Sequence, residues 1–183
     1  MKVVLDACVL YPSVLRGILL GVAEAGLFVP VGSERILEEW RRATAKIGTA
    51  AMAEAEAAAI LMRARFPAAT ARAYPEIEAR LVLPDPNDLH VLAVAVGTGA
   101  DAILTFNAAD FPGHALAAEG IERRNPDGFL WELWSGDPAP VEAAVAATHA
   151  RAEALAGGRL SRKALLKRIR LNRLARAIEA GAS

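Results

Sequence analysis

The sequence predicts an α/β protein: a three-layer α/β/α domain built on a central parallel sheet, followed by a helical C-terminal extension. Three observations carry that prediction. Short apolar runs alternate with stretches of helical periodicity. The runs end in polar residues, as strands buried on both faces do. Beyond Gly120 the alternation stops and only helix-like stretches follow. At 183 residues the chain suits one core plus a smaller appendage, with residues 1–130 as the domain and 131–183 as the extension.

The elements follow in order. Lys2 to Leu5 is apolar and rich in Val, and it ends at Asp6, so a buried strand delivers a carboxylate to its C-terminal edge. In open α/β sheets that edge is where ligands bind. Val14, Ile18, Leu19, Val22 and Ala25 then recur at helical spacing up to Gly26, a stop signal. Phe28 to Val31 reads as a second strand, and Ser33 as the N-cap of a helix with Ile36, Leu37 and Trp40 on its apolar side. The Ala-rich stretch from Ala50 to Ala73 reads as scaffold helix. Leu81-Val82-Leu83, bounded by Pro84 and Pro86, reads as a third strand. Asp88 opens a helix through Ala95 that stops at Gly97-Thr98-Gly99, and Ala102 to Thr105 gives a fourth strand. A connector containing Trp131 and Trp134 leads to helices near 139–156 and 161–179, separated by Gly157-Gly158.

Composition excludes several classes. No uncharged apolar run approaches the roughly 20 residues of a spanning helix, and Asp6 interrupts the only N-terminal apolar run, against a secretory signal. A cytoplasmic protein without membrane contact is expected. Cys8 is the sole cysteine, so neither an intrachain disulfide nor a Cys-based zinc cluster can form; it reads as a small buried hydrophobe. Net charge is zero, but residues 1–158 hold 13 Lys/Arg against 20 Asp/Glu, whereas residues 159–183 hold 8 against 1.

Asp6, Glu39, Asp88 and Asp110 stand out because each sits where a strand ends or a helix begins on the ligand edge. Clustered carboxylates repel unless cations intervene, and hard divalent ions prefer oxygen ligands. A Mg²⁺ or Mn²⁺ ion at such a cluster serves phosphodiester hydrolysis by activating water.

Four segments, in order, resemble the PIN-domain family. Leu5-Asp6-Ala7-Cys8-Val9-Leu10-Tyr11-Pro12 is similar to its first motif, and Ser33-Glu34-Arg35-Ile36-Leu37-Glu38-Glu39-Trp40 to its second. Asp85-Pro86-Asn87-Asp88-Leu89-His90-Val91-Leu92-Ala93 resembles the D-x-x-D-x-x-x-L-A segment. Ile103-Leu104-Thr105-Phe106-Asn107-Ala108-Ala109-Asp110-Phe111-Pro112 resembles a T-x-N-x-x-D-F variant of the last motif, whose commoner form carries Asp where Asn107 stands. The resemblance covers about residues 2–130 and extends, with Asn125-Pro126-Asp127-Gly128-Phe129-Leu130 and the helical tail, to VapC-type toxin endoribonucleases with a C-terminal extension.

That resemblance implies a metal-dependent endoribonuclease whose Mg²⁺ or Mn²⁺ is bound by Asp6, Glu39, Asp88 and Asp110, with Asn107 as a neutral ligand. Glu38 is the alternative to Glu39, and Asp85 an outer candidate. Thr105 either hydrogen-bonds a ligand carboxylate or a metal-bound water, or is a plain turn residue. Arg16 either contacts phosphate or packs as an ordinary helix residue. His90 reads as a supporting residue in preference to a general base. Implied partners are RNA, a cognate antitoxin that occludes the acids and a second copy of the chain. The basic tail, Arg159 to Arg176, either grips RNA or an acidic partner or is a solvated amphipathic helix.

Other phosphate chemistries fit less well. A haloacid-dehalogenase-type phosphatase needs a second Asp where Cys8 stands, and no P-loop sequence is present. The surviving rival is a catalytically weak module of the same fold that acts by binding RNA or protein.

Overall fold

A computed structural model describes residues 1–181. The chain runs β1 (Lys2–Leu5), α1 (Ala7–Leu10), α2 (Ser13–Glu24), β2 (Val29–Ser33), α3 (Glu34–Ala45), α4 (Thr49–Arg65), β3 (Thr70–Ala71) and α5 (Pro75–Glu78). After a 3-10 turn at Pro86–Asp88 come α6 (Leu89–Thr98), β4 (Ala102–Leu104), α7 (Gly113–Ala118), β5 (Glu122–Arg124), α8 (Pro126–Gly136), α9 (Pro138–Ala156), α10 (Arg162–Arg168) and α11 (Asn172–Gly181). Ala182 and Ser183, the end of the expected extension, lie outside the described residues. The fold is α/β, with a five-stranded parallel sheet flanked by helices and further helices towards the C-terminus. None of the described helices is long and apolar enough to cross a membrane.

Contacts divide the chain into two compact units: Met1–Tyr11 with Phe28–Arg124, and Pro12–Leu27 with the residues from Asn125 on. The first unit holds the sheet, in the order β3-β2-β1-β4-β5. Every pairing is parallel, with Val4 opposite Val31 on one side and Ile103 on the other. Val3, Val4 and Leu5 are fully buried at the sheet's centre, which is why β1 is apolar throughout and does not alternate. The chain steps outward from β1 to β2 and β3, then returns to β4 on the other flank of β1. The order therefore reverses between β1 and β4, and the crevice for a ligand lies outside their C-terminal ends.

Helix α6 packs on β1, β2 and β4 and is buried continuously from His90 to Ala95. It ends at Thr98, within the expected Gly97-Thr98-Gly99 stop, and is closed by Gly99 in the left-handed conformation at φ +60. Gly97 is needed for space, since a Cβ there would lie 2.5 Å from the Tyr74 ring.

Several expected elements are corrected. Leu81-Val82-Leu83 forms no strand; Leu81 and Leu83 are buried while Val82 is 81% exposed, so the run anchors an extended connection by alternate residues. The third strand is instead the two-residue β3, within the stretch read as helix. A fifth strand, Glu122–Arg124, was unexpected, because an edge position tolerates charged residues. The second strand begins at Val29 and not Phe28, and the fourth ends at Leu104 and not Thr105.

In the second unit α2 packs against α9, and α8 against α9 and α11. The expected Trp-containing connector is itself helix α8, started by Asn125, whose side chain accepts from the Asp127 N–H at 3.0 Å. The single helix expected over 161–179 is broken between α10 and α11. Arg170 takes a left-handed φ of +64 there, and Ile169 and Leu171 on either side are both buried.

Asp127 ties these helices together. Its two carboxylate oxygens accept the backbone N–H of Arg173 at 2.8 and 3.1 Å and that of Leu174 at 3.0 Å. Helix α11 is thus capped by a side chain from α8, where a negative charge also suits the helix N-terminus. Asp127→Ala is expected to lower unfolding free energy by about 1 kcal/mol, and Asp127→Asn by less. Urea denaturation measures this, and an unchanged midpoint in the Ala variant would show that the cap is idle.

Candidate active site

The site is assembled in the first unit from a strand end at Asp6, a helix start at Asp88 and, contrary to expectation, the middle of a helix at Glu39. Asp6 follows β1 directly, and its backbone N–H donates to the Leu104 carbonyl on β4 at 3.2 Å, locking the two strand ends together. Thr105 follows β4. Glu39 projects from α3, whose start is fixed by Ser33 accepting the Ile36 N–H at 3.3 Å. Asp88 is the N-cap residue of α6, though its side chain makes no capping bond.

Asp6, Glu39 and Asp88 line one cavity of about 410 Å³, walled also by Ala7, Cys8, Tyr11, Ala43 and Asn107. Asp85, Asp88 and Asp110 can each bring one carboxylate oxygen within 4.8 Å of the others. Asp88 is the electrostatic centre. Burial, then the charges of Asp6, Asp85, Asp110 and Glu39, push its pKa up to about 6. The other three principal acids and the outer candidate Asp85 thus all act on Asp88.

The carboxylates are held by donors. Thr105 Oγ1 donates to Asp6 Oδ2 at 2.6 Å and accepts the Asn107 N–H at 2.9 Å. Cys8 Sγ donates to the same Asp6 oxygen at 3.0 Å and accepts the Phe106 N–H at 3.2 Å. Burial and the neighbouring Asp6 charge push the Cys8 thiol up to about 12, so it stays protonated and able to donate. Asp6 Oδ2 thus carries two donors, while no bond to Oδ1 is made among the described residues. The Asn107 side-chain N–H donates to Asp110 Oδ2. Its amide nitrogen is thereby committed to an acid, leaving its oxygen for any cation. Asp85 Oδ1 accepts from the Asn87 backbone and side-chain N–H at 2.9 and 3.0 Å, shaping the 3-10 turn.

The other expected residues fall elsewhere. Glu38 binds Arg41 and Arg42, which hold it below the usual carboxylate range. It lines a different cavity, of about 420 Å³, with Ala45, Met52, Ala53 and Glu56. Arg16 is buried on α2, in the other unit. His90 is 4% exposed and its Nε2 lies 2.7 Å from Glu39 Oε1. The reading of Cys8 as a mere buried hydrophobe is corrected: it is partly exposed in the cavity wall and bonded to Asp6. Its position two residues beyond Asp6, after a strand, was the available signal.

Oxygen-only donors, crowded and mutually repelling, fit a hard divalent cation. Without one, the raised value of Asp88 makes the ionised side chain a burden. Its contribution to stability is full below 3.8, the ordinary value, and is lost as pH rises through about 6. Asp88→Asn is therefore expected to stabilise the metal-free protein at pH 7, by about 1 kcal/mol after allowance for solvent screening. The gain should shrink towards pH 4. Thermal melts in EDTA across that range test it, and a pH-independent difference would refute the assignment.

The carboxylate-lined crevice, reached from geometry, coincides with a sequence match. The chain matches the family model described as PIN domain over residues 2–109, more than half its length. No curated protein and no solved structure matches it. The matched span takes in Asp6, Glu39, Asp88 and Asn107 and ends one residue short of Asp110. PIN domains are generally metal-dependent nucleases, and the acidic cluster is compatible with that chemistry. With sheet, crevice and matched span in agreement, the chain belongs to the PIN-domain family.

Proposed function

We propose that this protein is an endoribonuclease that hydrolyses RNA phosphodiester bonds with Mg²⁺ or Mn²⁺, and that it is the toxin of a type II toxin–antitoxin pair acting in the cytoplasm. Catalysis is assigned to residues 1–130, with 131–183 as a helical extension. The observation that carries the metal-dependent reading is the electrostatics of Asp88, raised to about 6 by burial and by four neighbouring carboxylates. A cluster of that kind repels a phosphodiester until a cation compensates it.

Asp6, Glu39, Asp88 and Asp110 would hold the ion, with the Asn107 oxygen as a neutral donor. A bound Mg²⁺ or Mn²⁺ supplies charge that acidifies water and offsets the growing negative charge on the phosphate. The protein's own contribution is placement. Thr105 and Cys8 fix Asp6 by one oxygen. Asn107 steadies Asp110. Tyr11, 39% exposed at the cavity wall, offers an aromatic face to a nucleobase.

The choice of RNA, and the pairing with an antitoxin and a second copy of the chain, rest on the resemblance of the four motifs to VapC-type toxins. An antitoxin arginine placed among the carboxylates would compensate the same charge as the ion. One observation favours a second reading, a catalytically weak RNA- or protein-binding module: Asn107 is neutral where the commoner motif has Asp, and it spends its N–H on Asp110.

The deciding experiment is cleavage of total cellular RNA by the purified protein with Mg²⁺, Mn²⁺ or EDTA, beside Asp6→Asn and Asp88→Asn. Cleavage should require metal and fall by about 100-fold or more in each variant. Equal activity in EDTA or in the variants would refute the nuclease assignment. Absence of both RNA cleavage and Mn²⁺ binding would favour the binding module.

A further inference from the structure

We propose that His90 is a positioning residue of this site, its Nε2–H holding one oxygen of Glu39 so that the carboxylate stays at the cavity with its other oxygen uncommitted. The inference rests on the reading of Glu39 as a metal-binding group and names what keeps it in place.

Glu39 is the one acid of the four that its backbone cannot place unaided. It sits in mid-helix on α3, on a side chain with several free rotations, and is 33% exposed. Asp6 and Asp110 are short and tied by Thr105, Cys8 and Asn107, and Asp88 is short and set by the start of α6. Repulsion from these acids would drive the longer Glu39 out towards water, where rotamer entropy also favours it. The contact from His90 Nε2 to Glu39 Oε1, at 2.7 Å, opposes this; it has the length of a hydrogen bond to an ionised acceptor.

The second ring nitrogen decides the proton's place. His90 Nδ1 is buried and without a hydrogen-bond partner. An N–H enclosed there would be an unmet donor, which costs more than an unmet lone pair. The ring proton therefore belongs on Nε2, facing Glu39. With Nε2 spent on Glu39 and Nδ1 enclosed, no ring nitrogen remains to take a proton from water, so His90 acts through Glu39 and not on substrate. Glu39 Oε2 has no hydrogen-bond partner among the described residues, which leaves it for an ion.

The test is Mn²⁺ affinity of the full chain, measured by calorimetry for wild type, His90→Gln, His90→Leu, Glu39→Gln and the Glu39→Gln/His90→Leu pair. Gln and Leu have similar volume, but only Gln carries a donor near the place of Nε2. His90→Leu and Glu39→Gln should each weaken Mn²⁺ binding by about 10–100-fold, while His90→Gln stays within about threefold of wild type. His90→Leu should add nothing to Glu39→Gln, because both remove one linkage. A packing role would instead move Gln and Leu alike, and overturns the inference. So does a normal affinity in His90→Leu beside a weakened Glu39→Gln. An unchanged Glu39→Gln removes the reading of Glu39 as a ligand, and the inference falls with it. If the variants fail to fold, the nitrogen NMR of wild-type histidines decides: a proton on His90 Nε2 is expected, and one on Nδ1 overturns the assignment.

Discussion

Mutual repulsion among carboxylates crowded round one cavity is the constraint on which the arrangement of the first unit depends. Asp88 feels Asp6, Asp85, Asp110 and Glu39 together. Two like charges about 4 Å apart cost about 4 kcal/mol at the effective dielectric of a protein surface, against a net gain of about 1 kcal/mol for an ordinary hydrogen bond. The donors on Thr105, Cys8, Asn107 and His90 therefore orient the acids but cannot neutralise them. What remains must be met by a proton on Asp88 or by a cation. The two are alternatives, so acidity and metal compete for the same state of the site.

The parallel sheet makes such crowding attainable. Asp6, Glu39 and Asp110 are far apart along the chain, and the folded sheet with its helices brings all three within electrostatic reach of Asp88. The cost of gathering them is carried by the buried interior behind them: Val3, Val4, Leu5, Ile103 and Leu104 of the two strands and the enclosed face of α6. The bond from the Asp6 N–H to the Leu104 carbonyl joins the apolar interior to the charged rim at the point where the strand order reverses.

This division explains what was legible in the sequence. Buried parallel strands leave apolar runs that end in polar residues, so β1 and β4 and the acids beyond them could be read directly. Thr70–Ala71 and Glu122–Arg124 leave no such trace, because edge strands are held by backbone pairing to a neighbour and their side chains need not be apolar. Leu81 and Leu83 misled because alternate burial marks extended chain, whether or not a ladder forms. Of the site, the acids were visible by position and Thr105, Asn107 and His90 as candidates beside them, whereas the particular acid that each one holds was not. The partners of Thr105 and His90 lie 99 and 51 residues away at Asp6 and Glu39, and no local pattern encodes a contact of that range. The break at Arg170 was hidden for a related reason: its left-handed turn answers the need to bury Ile169 and Leu171, which only the packed helices reveal.

Asn107 shows how the same constraint tunes the site. An aspartate there would add one more negative charge to a cluster already strong enough to raise Asp88. The amide removes that charge and supplies a donor to Asp110, so repulsion falls while orientation improves. The same exchange weakens the pull on a divalent ion, since a neutral oxygen replaces a charged one. Stability without metal and affinity for metal thus move in opposite directions at this position. Asp88 marks the limit of the compromise: even with Asn107 in place, burial and four neighbouring carboxylates leave it the group most in need of a cation.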